Sequence, residues 1–484
     1  MLSRQGYRLK KEDLTNEQVT KLVKDLTAKP KMVPGFGPQN QKPIEYPIFL
    51  ESATSYYIPR FYGLNHYGPV TTNKLGSGLP INITFKGSLR PEQIPIQQLF
   101  LDQDKGYGQD SGQGAGGIIS LKCGGGKTVL GLSIIAELQK KTIVLVHKDF
   151  LMTQWRDRIL EFLPDAKIGK IQQDTIDVEG KDIVLAMVQS VSVKEYPKEV
   201  FDQFGLAIFD ECHHLGAEVF FKSMQKVASA NMLGLSATPK RKDGLQWVFE
   251  QFIGPIVYQT KDVVTDGVEV NVIDYYSDNT EYTNECLMYN KKPCLPKIIN
   301  NVCAHYERTE MILGLAKTYY EMGRKLIILS DRRAHLDMML EWLLQHNIPS
   351  GLYVGGMKPF DLHESQEKDV ILGTFSMAAE GMDIPKLNTI ILASPKSDVI
   401  QSVGRILREK ANVRTHHPLI IDFKDTHPNL SMFVRQCEKR IKYYKKCNHE
   451  IHYYQMNGPK VKIEKRQSNK KKKEIYDIKE CLID

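Results

Sequence analysis

The chain has 484 residues, 42% apolar and 25% charged, an ordinary globular composition that excludes disordered and collagenous classes. No run approaches the roughly 18 consecutive apolar residues of a membrane span, and MLSRQGYRLKKEDL lacks a signal peptide's apolar centre. The expectation is a soluble intracellular protein of cytoplasm, nucleus or virion, without a membrane partner. The net charge of +8 is uneven: residues 435–473 hold 14 Lys and Arg against 3 Glu, while the remainder holds 51 basic and 54 acidic residues. That predicts a polyanion at the C-terminal end, because neutralising phosphates releases counterions.

Residues 1–86 combine a charged helical pattern (Glu12–Ala28), a Pro- and Gly-rich stretch and a Tyr-rich run over Tyr56–Tyr67. They predict a small N-terminal accessory domain, with the tyrosines as its aromatic core rather than a base-stacking platform.

Two blocks follow, 87–260 and 261–430, in which short Val/Ile/Leu runs alternate with helical periods. This is the pattern of βαβ units around a buried parallel sheet. The first block predicts strands at Gly117–Leu121, Thr142–His147, Ile183–Met187, Leu206–Phe209 and Met232–Leu235. The second predicts them at Val268–Tyr275, Lys325–Ser330, Val370–Gly373, Thr389–Ala393 and Pro418–Asp422, with helices at Arg308–Met322 and Ala334–Gln345. The glycine-rich stretch 102–117 is too polar to pack and is expected to be a loop.

Residues 431–484 form a basic C-terminal extension. Within it Phe433–Lys446 is expected to dock as a helix. Tyr443, Tyr444, Tyr453 and Tyr454, interleaved with lysines, have a composition suited to stacking bases, and Lys470–Lys473 one suited to phosphate contact or nuclear import. Eight cysteines without framework spacing predict reduced thiols. The sets Cys447/His449/His452 and Cys286/Cys294/Cys303 lack the paired spacing of a zinc site.

Three stretches carry chemistry. The first is LKCGGGKT (Leu121, Lys122, Cys123, Gly124, Gly125, Gly126, Lys127, Thr128), between a strand and the helix TVLGLSIIAELQ. Its amides and helix start suit phosphate oxygens, Lys127 suits the β/γ-phosphates, and Thr128 suits Mg²⁺. Leu121 stands where the pattern has glycine, and a tight turn is the alternative.

The second is DECH (Asp210, Glu211, Cys212, His213), after the apolar run LAIF. There Asp210 would hold Mg²⁺ through water and Glu211 would orient and deprotonate the attacking water. Surface charge, or a zinc site at Cys212, His213 and His214, are the alternatives. The third is QSVGRILR, residues 401–408, where Arg405 and Arg408 share a helical face suited to a triphosphate or, alternatively, to solvent.

In this order the stretches resemble the motif series of the superfamily 2 helicases of DExH type, across residues 89–425. LRPEQ (Leu89–Gln93) resembles the adenine-reading motif, Leu145–Trp155 motif Ia, GLSATP (Gly234–Pro239) motif III and Leu326–Leu340 motif IV. GTFSMAAEGMDIP (Gly373–Pro385) resembles motif V, and QSVGRILR motif VI. The likeness is greatest to the branch of XPB-type and bacteriophage UvsW-type helicases, with related proteins in large DNA viruses.

The resemblance implies an α/β fold of two tandem RecA-like domains with ATP and Mg²⁺ between them. It implies that Gln93 reads adenine and that Ser236, Ala237 and Thr238, linked through His213, couple hydrolysis to the strand-gripping surface. Gly381 and Asp383 would sit at the domain interface, Gln401 and Gly404 would share in the coupling, and Arg405 and Arg408 would complete the catalytic centre. A monomeric ATP-dependent helicase or translocase is implied, acting on DNA in preference to RNA, with replication, repair or transcription proteins as further partners. An RNA helicase, and a non-enzymatic nucleic-acid-binding protein on a helicase fold, are the alternatives.

Overall fold

The computed structural model describes residues 1–30, 45–103, 114–121, 124–211, 217–237, 243–260, 267–380, 384, 386–404, 414–456, 463–465 and 475–476. The side chains of 198, 217–220, 359, 379–380, 401 and 456 onward lie outside that description. The chain divides into two compact units, Met1–Thr260 and Lys261–Asp484.

The first unit is built on an eight-stranded sheet. Its order is Thr175–Asp177, Ile168–Gln172, Ile183–Met187, Thr142–Val146, Leu206–Asp210, Asn231–Ser236, Gly116–Ser120 and Ile256–Gln259. All neighbours pair in parallel except the outer Thr175–Asp177 hairpin strand. The central strands read as unbroken apolar runs because both faces are covered. On Leu206–Asp210, Ala207 and Phe209 enter one core while Leu206 and Ile208 enter the other.

Residues from the N-terminal segment share the first of these cores. Tyr56, Phe61 and Tyr62 are buried there beside a four-stranded sheet of Leu2–Ser3, Gly6–Lys10, Ser55–Ile58 and Leu50–Glu51. The tyrosine run is thus packed. Buried Arg60 binds the segment to the larger sheet by donating to the carbonyls of Gly114 (2.7 Å) and Ala230 (2.8 Å). The first helix is shorter than its charge pattern suggests: Lys11–Asp13 is a 3₁₀ turn. Thr15 then starts Asn16–Asp25 with a capping box, its Oγ1 accepting from Gln18 N.

The second unit holds a nine-stranded sheet. It runs Ser350–Tyr353, Val370–Gly373, Leu326–Leu329, Thr389–Leu392, Leu419–Asp425, Glu269–Tyr275, Glu450–Met456, Ile463–Lys465 and Ile475–Tyr476. The first seven are parallel. Together the two units give the chain its two RecA-like α/β halves.

Residues 431–456 are part of this second unit. The helix Ser431–Lys446 buries Phe433, Cys437, Arg440 and Tyr444, at intervals of four, three and four, against the strand Leu419–Asp425. After it Glu450–Met456 pairs beside Glu269–Tyr275. Tyr444 is fully buried and donates its hydroxyl to Asp422 Oδ2 at 2.9 Å, so it is unavailable for stacking a base. Tyr443, Tyr453 and Tyr454 are partly buried against the cores. Among the described residues no helix is long and apolar enough to cross a membrane, and no group of three or more His, Cys, Asp or Glu is placed to hold a metal ion.

Candidate nucleotide site

The phosphate loop leaves the strand Gly116–Ser120 and enters the helix Lys127–Leu138. Leu121, at the position where the pattern has glycine, is buried in the core, and its amide donates to Ser236 O at 3.0 Å. The turn is made by Gly124 and Gly126, each at φ 73°. At Gly126 any side chain would be strained by the left-handed backbone, and a Cβ would lie 2.5 Å from Gln93 Nε2, so that the amide would have to leave the loop carbonyls.

Gln93 is 3% exposed and lies against this loop. Its Nε2 donates to the carbonyls of Gly125 (3.0 Å) and Gly126 (3.2 Å), while its Oε1 accepts from Arg90 N (2.9 Å). Arg90 Nη1 donates to Gly124 O at 3.1 Å. The LRPEQ segment and the phosphate loop are therefore fastened together, which rests on Gln93 and on an arginine that motif matching alone did not single out.

Lys127 opens the helix and pairs through its Nζ with Glu211 Oε1; the two side chains are 13% and 15% exposed. Glu211 Oε2 also accepts from Ala237 N at 3.2 Å, so one carboxylate joins the phosphate loop, the DECH strand end and the motif III segment. Side chains alternate along a strand, and Glu211, at φ 47°, breaks that alternation just beyond Asp210. The left-handed residue directs its carboxylate to Lys127.

Asp210, the last residue of its strand, is 7% exposed. Its Oδ2 accepts from Trp155 Nε1 at 2.8 Å and its Oδ1 from Glu211 N at 3.0 Å. Burial, and then the Glu211 charge, push its carboxyl above the usual carboxylate range, against Lys127 and the two donors. Trp155 was legible only as the end of motif Ia. The signal that it holds Asp210 is an indole N–H on an otherwise buried helix face, which requires an acceptor.

The structure thus gathers Gln93, Gly124, Gly125, Gly126, Lys127, Asp210, Glu211, Ser236 and Ala237 around one strand-loop-helix junction. Thr128 is the second residue of the helix and half-buried. Lys122, Cys123, Cys212, His213, His214, Thr238, Gly381, Asp383, Arg405 and Arg408 lie outside the described residues. The helix that begins motif VI spans Ile400–Val403, with Gln401 in it, and Gly404 caps its end.

Residues 86–241 match the family described as Type III restriction enzyme, res subunit, and residues 308–410 match the Helicase conserved C-terminal domain. The chain belongs to the superfamily 2 helicases and is an ATP-hydrolysing nucleic-acid helicase. It is 32% identical over 488 residues, 99% of this chain and 90% of the other, to "Putative ATP-dependent RNA helicase L396" of Acanthamoeba polyphaga mimivirus. It is 25% identical over 359 residues to "Putative ATP-dependent RNA helicase QP509L" of African swine fever virus, covering 69% and 68% of the two chains. The solved structure of T4 UvsW aligns over 92% of this chain and 97% of that one, at 17% identity and a TM-score of 0.35.

Proposed function

We propose that ATP is hydrolysed at the Lys127–Glu211 junction and that the energy moves the protein, as a monomer, along DNA. The observation that carries this reading is the bridging carboxylate of Glu211, paired with Lys127 on one oxygen and with Ala237 N on the other. Phosphate oxygens compete with Glu211 for Lys127. Nucleotide binding then frees the carboxylate to orient and deprotonate a water, and the Ala237 contact reports the change to motif III.

Gln93 reads adenine from its place on the phosphate loop. Asp210 and Thr128 offer the hard oxygens Mg²⁺ prefers, and among the described residues the donors on the buried Asp210 carboxylate are two neutral N–H groups. Bound Mg²⁺ would supply charge neutralisation between the phosphates. Residues 87–260 act as the ATP-binding half and 261–430 as its counterpart, with 1–86 accessory; of the basic stretch 431–484, residues 431–456 belong to that counterpart. Arg405 and Arg408 complete the γ-phosphate site on closure, and Gly381, Asp383, Gln401 and Gly404 form the coupling interface. Closure draws on the difference between ATP and ADP contacts.

The test is ATP turnover in Lys127→Ala and Glu211→Gln. Each is expected to lose at least about 10²-fold in rate, the scale of a lost acid–base group, while nucleic-acid binding persists. Hydrolysis at the wild-type rate in either variant would remove this assignment.

For the substrate, the restriction-enzyme family matched by the front half favours DNA. The names given to the mimivirus and African swine fever virus relatives favour RNA as the second reading. Stimulation of hydrolysis by DNA and RNA strands of matched sequence separates them, since the 2′-OH is what distinguishes the substrates. Stronger stimulation by RNA would reverse the preference.

A further inference from the structure

Between the strand Glu269–Tyr275 and the helix Leu295–Ala304 the second unit makes a short excursion ending in a tight hairpin. Leu287 and Pro293 bridge antiparallel, Cys294 N donates to Cys286 O at 2.7 Å, and Met288 N donates to Lys292 O at 2.7 Å. Lys291, at φ 59°, closes the tip. Tyr289 stands on that tip with a relative exposure of 108%, and Met288 beside it is 44% exposed. Lys291 and Lys292 are exposed two and three residues after Tyr289, and Lys297 follows on the helix. The acidic residues of the excursion, Asp278, Glu281 and Glu285, all precede the hairpin.

The hairpin is held at its root. Tyr282 is fully buried and donates to Asp425 Oδ1 at 2.8 Å, and that carboxylate is itself paired with buried Arg308. On the far side Arg332 Nη2 donates to Pro296 O at 2.9 Å and its Nε to Asn300 Oδ1. The excursion leaves the carboxyl end of a parallel strand, the edge at which open α/β sheets bind ligands. A rigid root lowers the ordering cost of a contact made at the tip.

We propose that this hairpin is a contact for unpaired nucleic acid, with Tyr289 stacked on a base and Lys291 and Lys292 against the flanking phosphates. The inference rests on the helicase reading. Its grounds are chemical: a fully solvated aromatic ring gains nothing for the fold, and paired lysines beside it match an anionic strand. Leu287, Met288 and Leu295 are exposed as well, but the charged residues of the tip are lysines, and charge is depleted from the cores of protein-facing patches.

The test uses the full chain and a fluorescein-labelled single strand, with a parallel strand carrying 5-iodouracil for photocrosslinking. Tyr289→Ala is expected to weaken binding about 5-fold or more, the scale of one lost base stack, and to abolish the crosslink at the hairpin. Tyr289→Phe should restore both, and Lys291→Gln with Lys292→Gln should flatten the salt dependence of binding. Melting temperature should be unchanged in each, because none of these side chains is buried. Unaltered binding and crosslinking in Tyr289→Ala overturns the proposal and leaves the hairpin to a protein partner. Absence of binding by the wild-type chain removes the helicase reading together with it.

Discussion

Each half of the molecule buries aspartates on a central parallel strand, and the two halves treat them oppositely. In the second unit Asp422 and Asp425 are 0% and 1% exposed, and each holds one buried guanidinium and a tyrosine hydroxyl. Arg440 grips Asp422 with Nε at 2.9 Å and Nη2 at 2.6 Å, and Tyr444 adds its hydroxyl. Arg308 reaches Asp425 through Nε at 2.8 Å and also donates to Ala393 O at 2.5 Å. In the first unit Asp210 is almost as buried, yet among the described residues its direct donors are an indole and a backbone amide, and its carboxyl is raised. Burial alone does not mark chemistry. A carboxylate left without a bound guanidinium keeps its affinity for an incoming cation, whereas a saturated one serves the fold.

The widest contrast should come from stability. Arg308→Met strands the Asp425 charge inside the core and is expected to cost about 3–5 kcal/mol, read as a lower urea midpoint. Lys127→Ala, at a site meant to exchange partners, should cost much less. Near-equal losses would erase the distinction between the halves.

Acidification should act next. His335 is buried between Thr309 and Ser330, and burial followed by the Arg308 charge lowers its pKa to about 3. The unfolded chain takes up this proton near pH 6.5, so the contribution is fully present above that pH and declines toward pH 3. It amounts to about 2 kcal/mol lost at pH 5. His335→Gln should flatten that dependence in urea titrations at pH 7 and pH 5; an unchanged slope would place the titration elsewhere.

The smallest effect belongs to Trp155→Phe, which deletes one hydrogen bond and should cost roughly 1 kcal/mol. Its diagnostic lies in the rate: the indole lowers the Asp210 pKa, so its loss should move the acid limb of ATP hydrolysis to higher pH. A limb that stays in place would mean Asp210 does not titrate in turnover.

Much of the architecture was readable because buried parallel strands are nearly pure apolar runs, as at Leu206–Phe209 and Leu326–Leu329. Strands at the margins were not. Ile168–Gln172 (IGKIQ) mixes a glycine and two polar residues into its run, Ser350–Tyr353 (SGLY) opens on serine and glycine, and His452 and the tyrosines of Glu450–Met456 resembled a solvated tail.

At the site, spacing exposed Lys127 and Glu211 because backbone turns fix phosphate loops locally. Trp155 lies 55 residues from Asp210, and Arg308 lies 117 from Asp425. Such partnerships are set by how layers stack, and no local pattern encodes them.

The docked helix Ser431–Lys446 bears on how the basic tail can be studied. Trimming the chain at the apparent composition border near residue 430 would strip Arg440 and Tyr444 from Asp422 and leave Glu269–Tyr275 without a neighbour on one side. A deletion would then report collapse of the sheet, whatever the tail binds. Charge reversal at its solvent-facing lysines, with the backbone left whole, is the manipulation that isolates its affinity for polyanions.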